Sequence, residues 1–207
     1  MRKPTWIVFE GIDGSGKTTQ AKRLNEYLTA HGYRSLYKHV FDSEAGSLLR
    51  TLFIDNSFSN KVEILVLSAA RQALLDELSE QVGDYDVLVV DRFFLSILAM
   101  QGRSEDDRRL ISYLRRTICG PQDAHYILHL HTPPEDCRKR LVRRTAQDRI
   151  EAKGVEFHRE VFDRYRMLLA DEERVFDIDG RGDVEDVHRS VVRTTMSLLG
   201  AAPTQQV

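Results

Sequence analysis

The sequence contains little cysteine and no excess of charge of either sign. Lysine and arginine number 30 against 32 aspartates and glutamates, which gives a formal net charge of −2. This balance disfavours a polynucleotide-binding protein, whose surface is usually basic. The two cysteines, Cys119 and Cys137, lack the spacing of metal ligands; a disulfide between them is the alternative to two reduced, partly buried thiols, which we favour. We therefore expect no nucleic-acid partner.

The sequence also lacks long apolar runs, internal repeats and low-complexity tracts. No run approaches the length of a membrane span, and the apolar residues 6–9, which follow a basic start, are too few for a signal-peptide core. We therefore expect a cytoplasmic protein without a membrane partner. Of the 207 residues, 42% are hydrophobic, so residues 1–200 are predicted to form a single domain and residues 201–207 a frayed tail.

Short apolar runs alternate with helical patterns along the chain. Strands are predicted at residues 6–9, 34–40, 87–90, 124–130 and 174–178. Helices are predicted at residues 17–31, 43–54, 62–81, 95–100, 106–118, 134–144, 154–170 and 183–199. The continuous run Val87–Val90 is typical of a strand that is buried in a parallel sheet. The pattern predicts a three-layer α/β fold, a five-stranded parallel sheet flanked by helices.

Residues Gly11–Thr18, GIDGSGKT, match the phosphate-binding pattern G-x-x-x-x-G-K-[ST], between an apolar strand and a helical pattern. Glycines let the backbone N–H groups curl around a phosphate at a helix N-terminus. Lys17 supplies a charge for the β- and γ-phosphates, and the Thr18 hydroxyl is a ligand for Mg²⁺. The residues predicted to bind ATP are Gly11, Asp13, Gly14, Ser15, Gly16, Lys17, Thr18 and Thr19. The sequence therefore predicts a P-loop of the P-loop NTPase fold.

A GTPase would need a base-reading Asn-Lys-x-Asp sequence after a hydrophobic strand. The similar string at residues 60–63 ends in Glu and opens a predicted helix. Asp91 instead ends a buried strand, where P-loop proteins place an acidic residue for Mg²⁺. Arg92 then follows in the crevice beyond the carboxyl ends of the strands; an Asp that merely caps the next helix is the alternative. The missing base-reading sequence disfavours a GTPase, and Asp91 and Arg92 are interpreted as part of the phosphate site.

Several segments together resemble the thymidylate kinase family of nucleoside monophosphate kinases. They are FEGIDGSGKTTQ (Phe9–Gln20), AAR (Ala69–Arg71), DRFFLSILAMQG (Asp91–Gly102), DRIE (Asp148–Glu151) and IDG (Ile178–Gly180). They span nearly the whole chain in the order that the family has. The resemblance implies an ATP-dependent transferase of nucleotide biosynthesis, in the first place one that converts ATP and dTMP into ADP and dTDP.

The resemblance also implies roles for individual residues. Asp13 is expected at the acceptor's sugar 3′-hydroxyl or at the transferring phosphate, Arg92 at the acceptor phosphate, and Arg71 at the acceptor base. Thr18 and Asp91 are expected to support Mg²⁺. The other residues expected on the acceptor side are Lys38, Arg50, Leu67, Ser96, Met100 and Gln101.

Residues 138–153 are interpreted as a short helical lid. Basic side chains concentrate in this part of the chain: Arg138, Lys139, Arg140, Arg143, Arg144 and Arg149. Phosphoryl transfer needs cations at the oxygens of the transferring group, and a closing lid excludes water. For residues 138–140 a solvated helix face is the alternative.

Ser15 stands where some family members have a P-loop arginine, so the resemblance assigns the catalytic arginine to the lid. Arg144 and Arg149 are the first candidates, and with Lys17, Asp13 and Arg92 they form the predicted catalytic set. Arg143 is the next candidate.

The acceptor side departs from the family pattern at several positions. Leu67 stands where the family has an aromatic that stacks on the base, Met100 stands at a tyrosine position, and Ile97 replaces a polar residue. The stretch Lys38–Ser43 replaces an Arg-Glu-Pro or Arg-Phe-Pro motif. Each lost contact corresponds to about 1–3 kcal/mol of discrimination. A related kinase for another deoxynucleoside or modified pyrimidine monophosphate is therefore one alternative, and a non-catalytic nucleotide-binding protein is a second.

Two further features are predicted without a catalytic role. His129 and His131 alternate along a predicted strand and share a face, but two metal ligands without a third are interpreted as ordinary strand histidines. No catalytic histidine is expected, because the acceptor phosphate is already an anion. Family members are commonly homodimers, and the apolar faces of the helices predicted at 43–54 and 62–81 are either a dimer surface or internal core.

Overall fold

A parallel sheet forms the centre of the protein in the computed structural model, which describes residues 3–120, 123–142, 154–170 and 172–200. Within these residues the sheet has five strands: β1 (Thr5–Glu10), β2 (Ser35–His39), β3 (Val87–Asp91), β4 (Tyr126–His131) and β5 (Val175–Asp179). Their order is β2-β3-β1-β4-β5, and every pairing is parallel. The predicted fold class is confirmed.

Helices connect the strands and lie where the sequence pattern predicts them. They are α1 (Lys17–Ala30), α2 (Glu44–Asp55), α3 (Asn60–Ser79), α4 (Phe94–Gln101), α5 (Glu105–Cys119), α6 (Pro134–Val142), α7 (Val155–Leu169) and α8 (Val184–Leu198). Helix α3 begins at Asn60, two residues before the predicted start, and a short 3₁₀ turn at Val82–Asp84 precedes β3. The string at residues 60–63 therefore opens a helix, as expected.

The two faces of the sheet each bury an apolar cluster. The alternation of side chains along β1 sends Trp6 and Val8 to one face and Ile7 and Phe9 to the other. Residues of α3, α4, α5 and α7 complete the first cluster, while α1 and α8 complete the second. Helices thus cover both faces, which is the predicted three-layer arrangement.

The carboxyl ends of the strands meet at one edge of the sheet. Register pairs Phe9 with Asp91, His39 with Asp91, and Glu10 with His129. In open parallel sheets this edge is where ligands bind. The topology therefore gathers polar side chains from four strands beside the loop that follows β1.

The two cysteines are free and buried. Burial raises the pKa of the thiols of Cys119 and Cys137 to about 12. Both thiols are therefore protonated and inert at neutral pH, in agreement with the reduced pair that the sequence favours. Among the helices in the described part of the chain, none combines the length and apolarity that a membrane span requires.

Candidate active site

The loop between β1 and α1 has the backbone of a phosphate cradle. Gly11 and Gly14 adopt positive φ angles of 141° and 81°, a region that other residues enter only with strain. A Cβ atom on Gly14 would lie 2.6 Å from the carbonyl oxygen of Cys137. The loop therefore requires glycine both for its curvature and for its close approach to α6.

Lys17 lies at the start of α1 and is only 5% exposed. Its Nζ atom donates hydrogen bonds to the carbonyl oxygen of Ile12 at 2.7 Å and to Ser15 Oγ at 3.4 Å. Burial, assisted by the charge of Arg92, lowers the pKa of Lys17 to about 8. The ammonium group is thus held inside the loop, where an incoming phosphate would stabilise its charged form.

Thr18 and Asp91 meet beside the P-loop, as the Mg²⁺ prediction requires. The Thr18 hydroxyl donates to Asp91 Oδ2, and the Tyr37 hydroxyl lies 3.5 Å from the same oxygen. Asp91 is fully buried, and its Oδ1 atom has no hydrogen-bond partner among the described residues. A buried carboxylate oxygen without a partner, next to a hydroxyl, matches the hard oxygen ligands that Mg²⁺ prefers.

Arg92 turns its guanidinium group toward the P-loop. Its backbone is left-handed, with φ 68°, which is uncommon for a residue other than glycine. The side chain forms an ion pair with Asp13 and donates to the Gly11 carbonyl and to Ser96 Oγ, each at 3.3 Å. The structure therefore brings together Asp13, Arg92 and Ser96, three residues that the sequence assigns to the transfer site and the acceptor pocket.

Glu10 anchors the chain segment that follows Arg92, although it was not among the residues predicted from the sequence. Glu10 is fully buried at the end of β1. It accepts hydrogen bonds from the backbone N–H groups of Phe93 and Ser96, at 2.8 and 3.2 Å, and from the hydroxyls of Ser96 and Tyr165. A carboxylate predicted at the end of a buried strand, immediately before a P-loop, is the signal that would have found it.

A cleft of about 240 Å³ opens from the P-loop toward α2, α3 and α4. Eight of the nine residues predicted for the acceptor side line it: Asp13, Arg50, Leu67, Arg71, Arg92, Ser96, Met100 and Gln101. The P-loop contributes Gly14, Gly16, Lys17, Thr18 and Thr19 to the same lining. The predicted phosphate and acceptor residues are thus neighbours around one cleft; their individual roles stay predictions.

Lys38 is the exception among the predicted acceptor residues. It shares a face of β2 with Leu36, and its Nζ atom lies 2.5 Å from Glu77 of α3, away from the cleft lining. His39, the next residue, lines the cleft instead, together with Phe41. Side chains alternate along a strand, so a shift of one residue exchanges the two faces. Lys38 thus pairs with α3 in this structure, His39 takes a place in the cleft lining, and the role of Lys38 at the acceptor stays a prediction.

His39 contributes an imidazole, and Phe41 and Phe53 contribute aromatic surface. The backbone N–H of Phe41 donates to His39 Nδ1 at 3.3 Å, which leaves the other ring nitrogen as a donor when the ring is neutral. Burial lowers the pKa of His39, so the neutral ring predominates at pH 7. Phe41 and Phe53 line the same cleft as Leu67. An aromatic side chain that could stack on a base, which Leu67 does not provide, is therefore available from the loop after β2 and from α2.

Arg71 and Gln101, which both line the cleft, each have a buried polar atom without a partner among the described residues. Arg71 is 2% exposed and donates to the carbonyl oxygens of Leu67 and Phe93, at 2.9 and 3.0 Å, while its Nε has no partner among the described residues. Gln101 is 1% exposed; its Nε2 donates to Glu63 at 3.3 Å, and its Oε1 likewise has no described partner. One buried donor and one buried acceptor thus remain for a ligand.

The basic segment is described only in part. Arg143, Arg144 and Arg149, the predicted lid arginines, and the DRIE stretch at residues 148–151 lie outside the described residues. Of the described ones, Lys139 pairs with Asp136 on the exposed side of α6. Arg140 donates to the carbonyl oxygens of Ser15 and Gly180, at 3.2 and 2.7 Å. Arg140 therefore joins the P-loop to the turn after β5, whereas Lys139 belongs to a solvated helix face.

Comparison with known proteins finds extended similarity. The family profile described as Thymidylate kinase matches residues 9–191. A thymidylate kinase of Caldanaerobacter subterraneus subsp. tengcongensis is 32% identical over 206 residues, which cover 95% of this chain and 97% of that protein. Relatives with the same description from a Thermoanaerobacter species and from Kosmotoga olearia are 31% and 29% identical, over 95% and 94% of this chain and 100% and 96% of theirs.

Proposed function

The chain belongs to the thymidylate kinase family, and from that premise we propose that it transfers the γ-phosphate of ATP to dTMP, giving ADP and dTDP. The observation that carries the proposal is the cleft, whose lining combines the phosphate cradle with the buried side chains of Arg71 and Gln101 and with the ion pair of Asp13 and Arg92. Two substrates that meet at a shared phosphate need this arrangement.

The unsatisfied atoms of Arg71 and Gln101 favour a keto pyrimidine as the acceptor base. Gln101 Nε2 donates to Glu63, so its unpartnered Oε1 remains an acceptor and Arg71 Nε remains a donor for a base that enters the cleft. Thymine offers the complementary edge, a carbonyl acceptor at O4 and an N–H donor at N3, whereas cytosine offers the reverse. Leaving either buried atom unpaired costs about 1–3 kcal/mol, which discriminates against dCMP.

The phosphate chemistry rests on positioning and charge. Lys17 and the loop N–H groups hold the β- and γ-phosphates of ATP, while Arg92 leaves its ion pair with Asp13 to bind the acceptor phosphate. Thr18 and Asp91 would hold Mg²⁺, which neutralises charge on the ATP phosphates when it is bound. The acceptor attacks as a phosphate anion, so no general base is required.

The basic segment at residues 138–153 is the last part of the proposed kinase site. We propose that residues 1–200 form a single kinase domain in which residues 138–153 close over the site, and that Arg144 and Arg149 contact the transferring phosphate. Replacing either with alanine is expected to lower kcat more than the affinity for ATP, since a transition-state contact is lost. An effect confined to KM would contradict this assignment.

A kinetic panel tests the proposed acceptor. ADP release is measured with dTMP, dUMP, dCMP, dAMP and dGMP at saturating ATP and Mg²⁺. We expect the highest kcat/KM with dTMP, and at least a tenfold lower value with dCMP because of the reversed donor and acceptor edge. Strong turnover of another acceptor without turnover of dTMP would instead favour the alternative kinase, for which Leu67, Ile97 and Met100 are the supporting observations. ATP binding without ADP release from any acceptor would leave only a nucleotide-binding protein.

We also propose that the protein is a cytoplasmic homodimer. Helices α2 and α3 pack against each other, yet Leu48, Leu52 and Leu65 on them are 70%, 43% and 51% exposed. Exposed leucines on two helices that pack together are typical of an interaction surface, while other leucines of α3 belong to the internal core. Light scattering coupled to gel filtration is expected to give a dimer for the native protein and a monomer for the double substitution Leu48→Lys and Leu65→Lys.

A further inference from the structure

His129, His131 and Asp177 lie together on one face of the sheet, at the pair of strands β4 and β5. Register places His129 directly opposite Asp177, and His131, two residues farther along β4, points to the same face. The two histidines were interpreted as ordinary strand residues for want of a third ligand. The neighbouring strand supplies that ligand, which sequence separation concealed.

The three side chains have the spacing of a metal centre. His129 Nδ1 lies 2.6 Å from Asp177 Oδ1, and one ligand atom from each residue lies within 4.8 Å of the other two. Ligand atoms around a tetrahedral zinc ion, each about 2.0–2.2 Å from the metal, are about 3.3 Å apart. Small side-chain rotations are therefore enough to close the three ligands around one ion.

The surroundings hold the rings and leave a path from solvent. The imidazole of His129 stacks on Tyr165, with ring centroids 5.3 Å apart, and that of His131 packs against Phe162 at 5.0 Å. The side chain of His129 is 3% exposed, whereas that of Asp177 is 67% exposed. An ion can thus enter from the Asp177 side and meet imidazoles whose orientation is already restricted by α7.

We propose that His129, His131 and Asp177 form a binding site for a divalent transition metal, with Zn²⁺ as the best match. Two imidazole nitrogens and one carboxylate favour zinc and its neighbours over Mg²⁺, which prefers oxygen ligands. The site is therefore distinct in chemistry from Thr18 and Asp91. Water would fill the fourth position, since three protein ligands leave the tetrahedron open.

Cobalt titration tests the site on the tag-free full-length chain. The protein is stripped with a chelator, returned to buffer with excess Mg²⁺ and no nucleotide, and titrated with Co²⁺ while visible absorption is followed; Zn²⁺ is then added as a competitor. We expect about one equivalent of Co²⁺ with tetrahedral absorption bands that Zn²⁺ abolishes. Zn²⁺ should also raise the melting temperature, because it binds only the folded state.

Three variants separate the site from adventitious binding. His131→Ala and Asp177→Asn each remove one ligand and should weaken Co²⁺ binding by at least tenfold and abolish the Zn²⁺-dependent rise in melting temperature. His31→Ala, at the exposed end of α1, is the matched control and should bind as the native protein does. Circular dichroism establishes that each variant is folded; if Asp177→Asn is not, His131→Ala decides. Native protein that binds no Co²⁺, or ligand variants that bind it unchanged, would overturn the proposal.

Discussion

Lys17 allows a quantitative test of the phosphate cradle, because its ammonium group is buried before a phosphate arrives. In the free protein, burial and the charge of Arg92 lower its pKa from 10.5 to about 8. The phosphates of bound ATP place negative charge beside Nζ and so raise the pKa again. ATP binding must therefore be accompanied by proton uptake at any pH where the free lysine is partly neutral.

The size of the uptake follows from the two protonation states. With a free pKa of about 8, Lys17 is already charged in roughly nine tenths of the molecules at about pH 7, and in roughly a quarter at about pH 8.5. If the bound lysine is fully charged, ATP binding takes up about 0.1 proton at the lower pH and about 0.75 at the higher. Cys137 and Tyr37, both near the loop, have pKa values raised by burial far above this range, so they do not obscure the effect.

Calorimetry measures the uptake directly. ATP is titrated with Mg²⁺ and without acceptor, in two buffers of different ionisation enthalpy at each pH, and the difference in observed enthalpy gives the number of protons. Lys17→Arg is the matched control, since an arginine stays charged at both pH values and should show no added uptake at the higher one. Equal proton numbers at the two pH values for the native protein would refute the lowered pKa of Lys17.

Three other substitutions test separate parts of the site. Gly14→Ala places a Cβ atom against a backbone carbonyl of α6 at a positive φ; it should lower the free energy of unfolding by about 1–3 kcal/mol and abolish ATP binding, as measured by urea unfolding and calorimetry. Tyr165→Phe removes one of the donors to Glu10 and should destabilise by about 1 kcal/mol in the same urea assay, because the other donors remain. Gln101→Leu removes the acceptor of the base pocket and should lower kcat/KM for dTMP about tenfold or more. Gln72→Leu, on the exposed side of α3, is its control and should change neither kinetic constant.

The fold was predictable because its signals are local. The buried run before Asp91, the alternation of strands and helices, and the glycine pattern after β1 each depend on a few consecutive residues. Boundaries shifted by one or two residues, as at Asn60, since helix ends are set by capping and packing that periodicity does not report. The parallel direction of the strands followed from the connecting helices, whereas the order β2-β3-β1-β4-β5 was not predicted.

The site was predictable where a motif names the residue, and unpredictable where packing selects it. The P-loop and the Asp91-Arg92 pair come from motifs, and the structure brings them together. Lys38 was predicted because a lysine suits a phosphate, but the pleat of β2 determines which of two neighbouring side chains faces the cleft, and His39 lines it. Asp177 could not be joined to the histidines from sequence, because the contact depends on the register of β4 and β5.

The backbone conformation of Arg92 explains how two consecutive residues both reach the P-loop, Asp91 at Thr18 and Arg92 at Asp13. On a regular strand, consecutive side chains point to opposite faces, so Asp91 at Thr18 would leave Arg92 directed away from the acceptor cleft. The left-handed conformation of Arg92 instead bends the chain so that its guanidinium group reaches Asp13, beside the same P-loop. This conformation costs about 1–2 kcal/mol for a residue with a Cβ atom. The hydrogen bonds that Glu10 accepts from Phe93 and Ser96 fix the turn immediately after it and offset that cost. Glu10, which is not among the residues that line the cleft, therefore acts as a positioning residue for Arg92, and the left-handed backbone of Arg92 brings its guanidinium group to the P-loop.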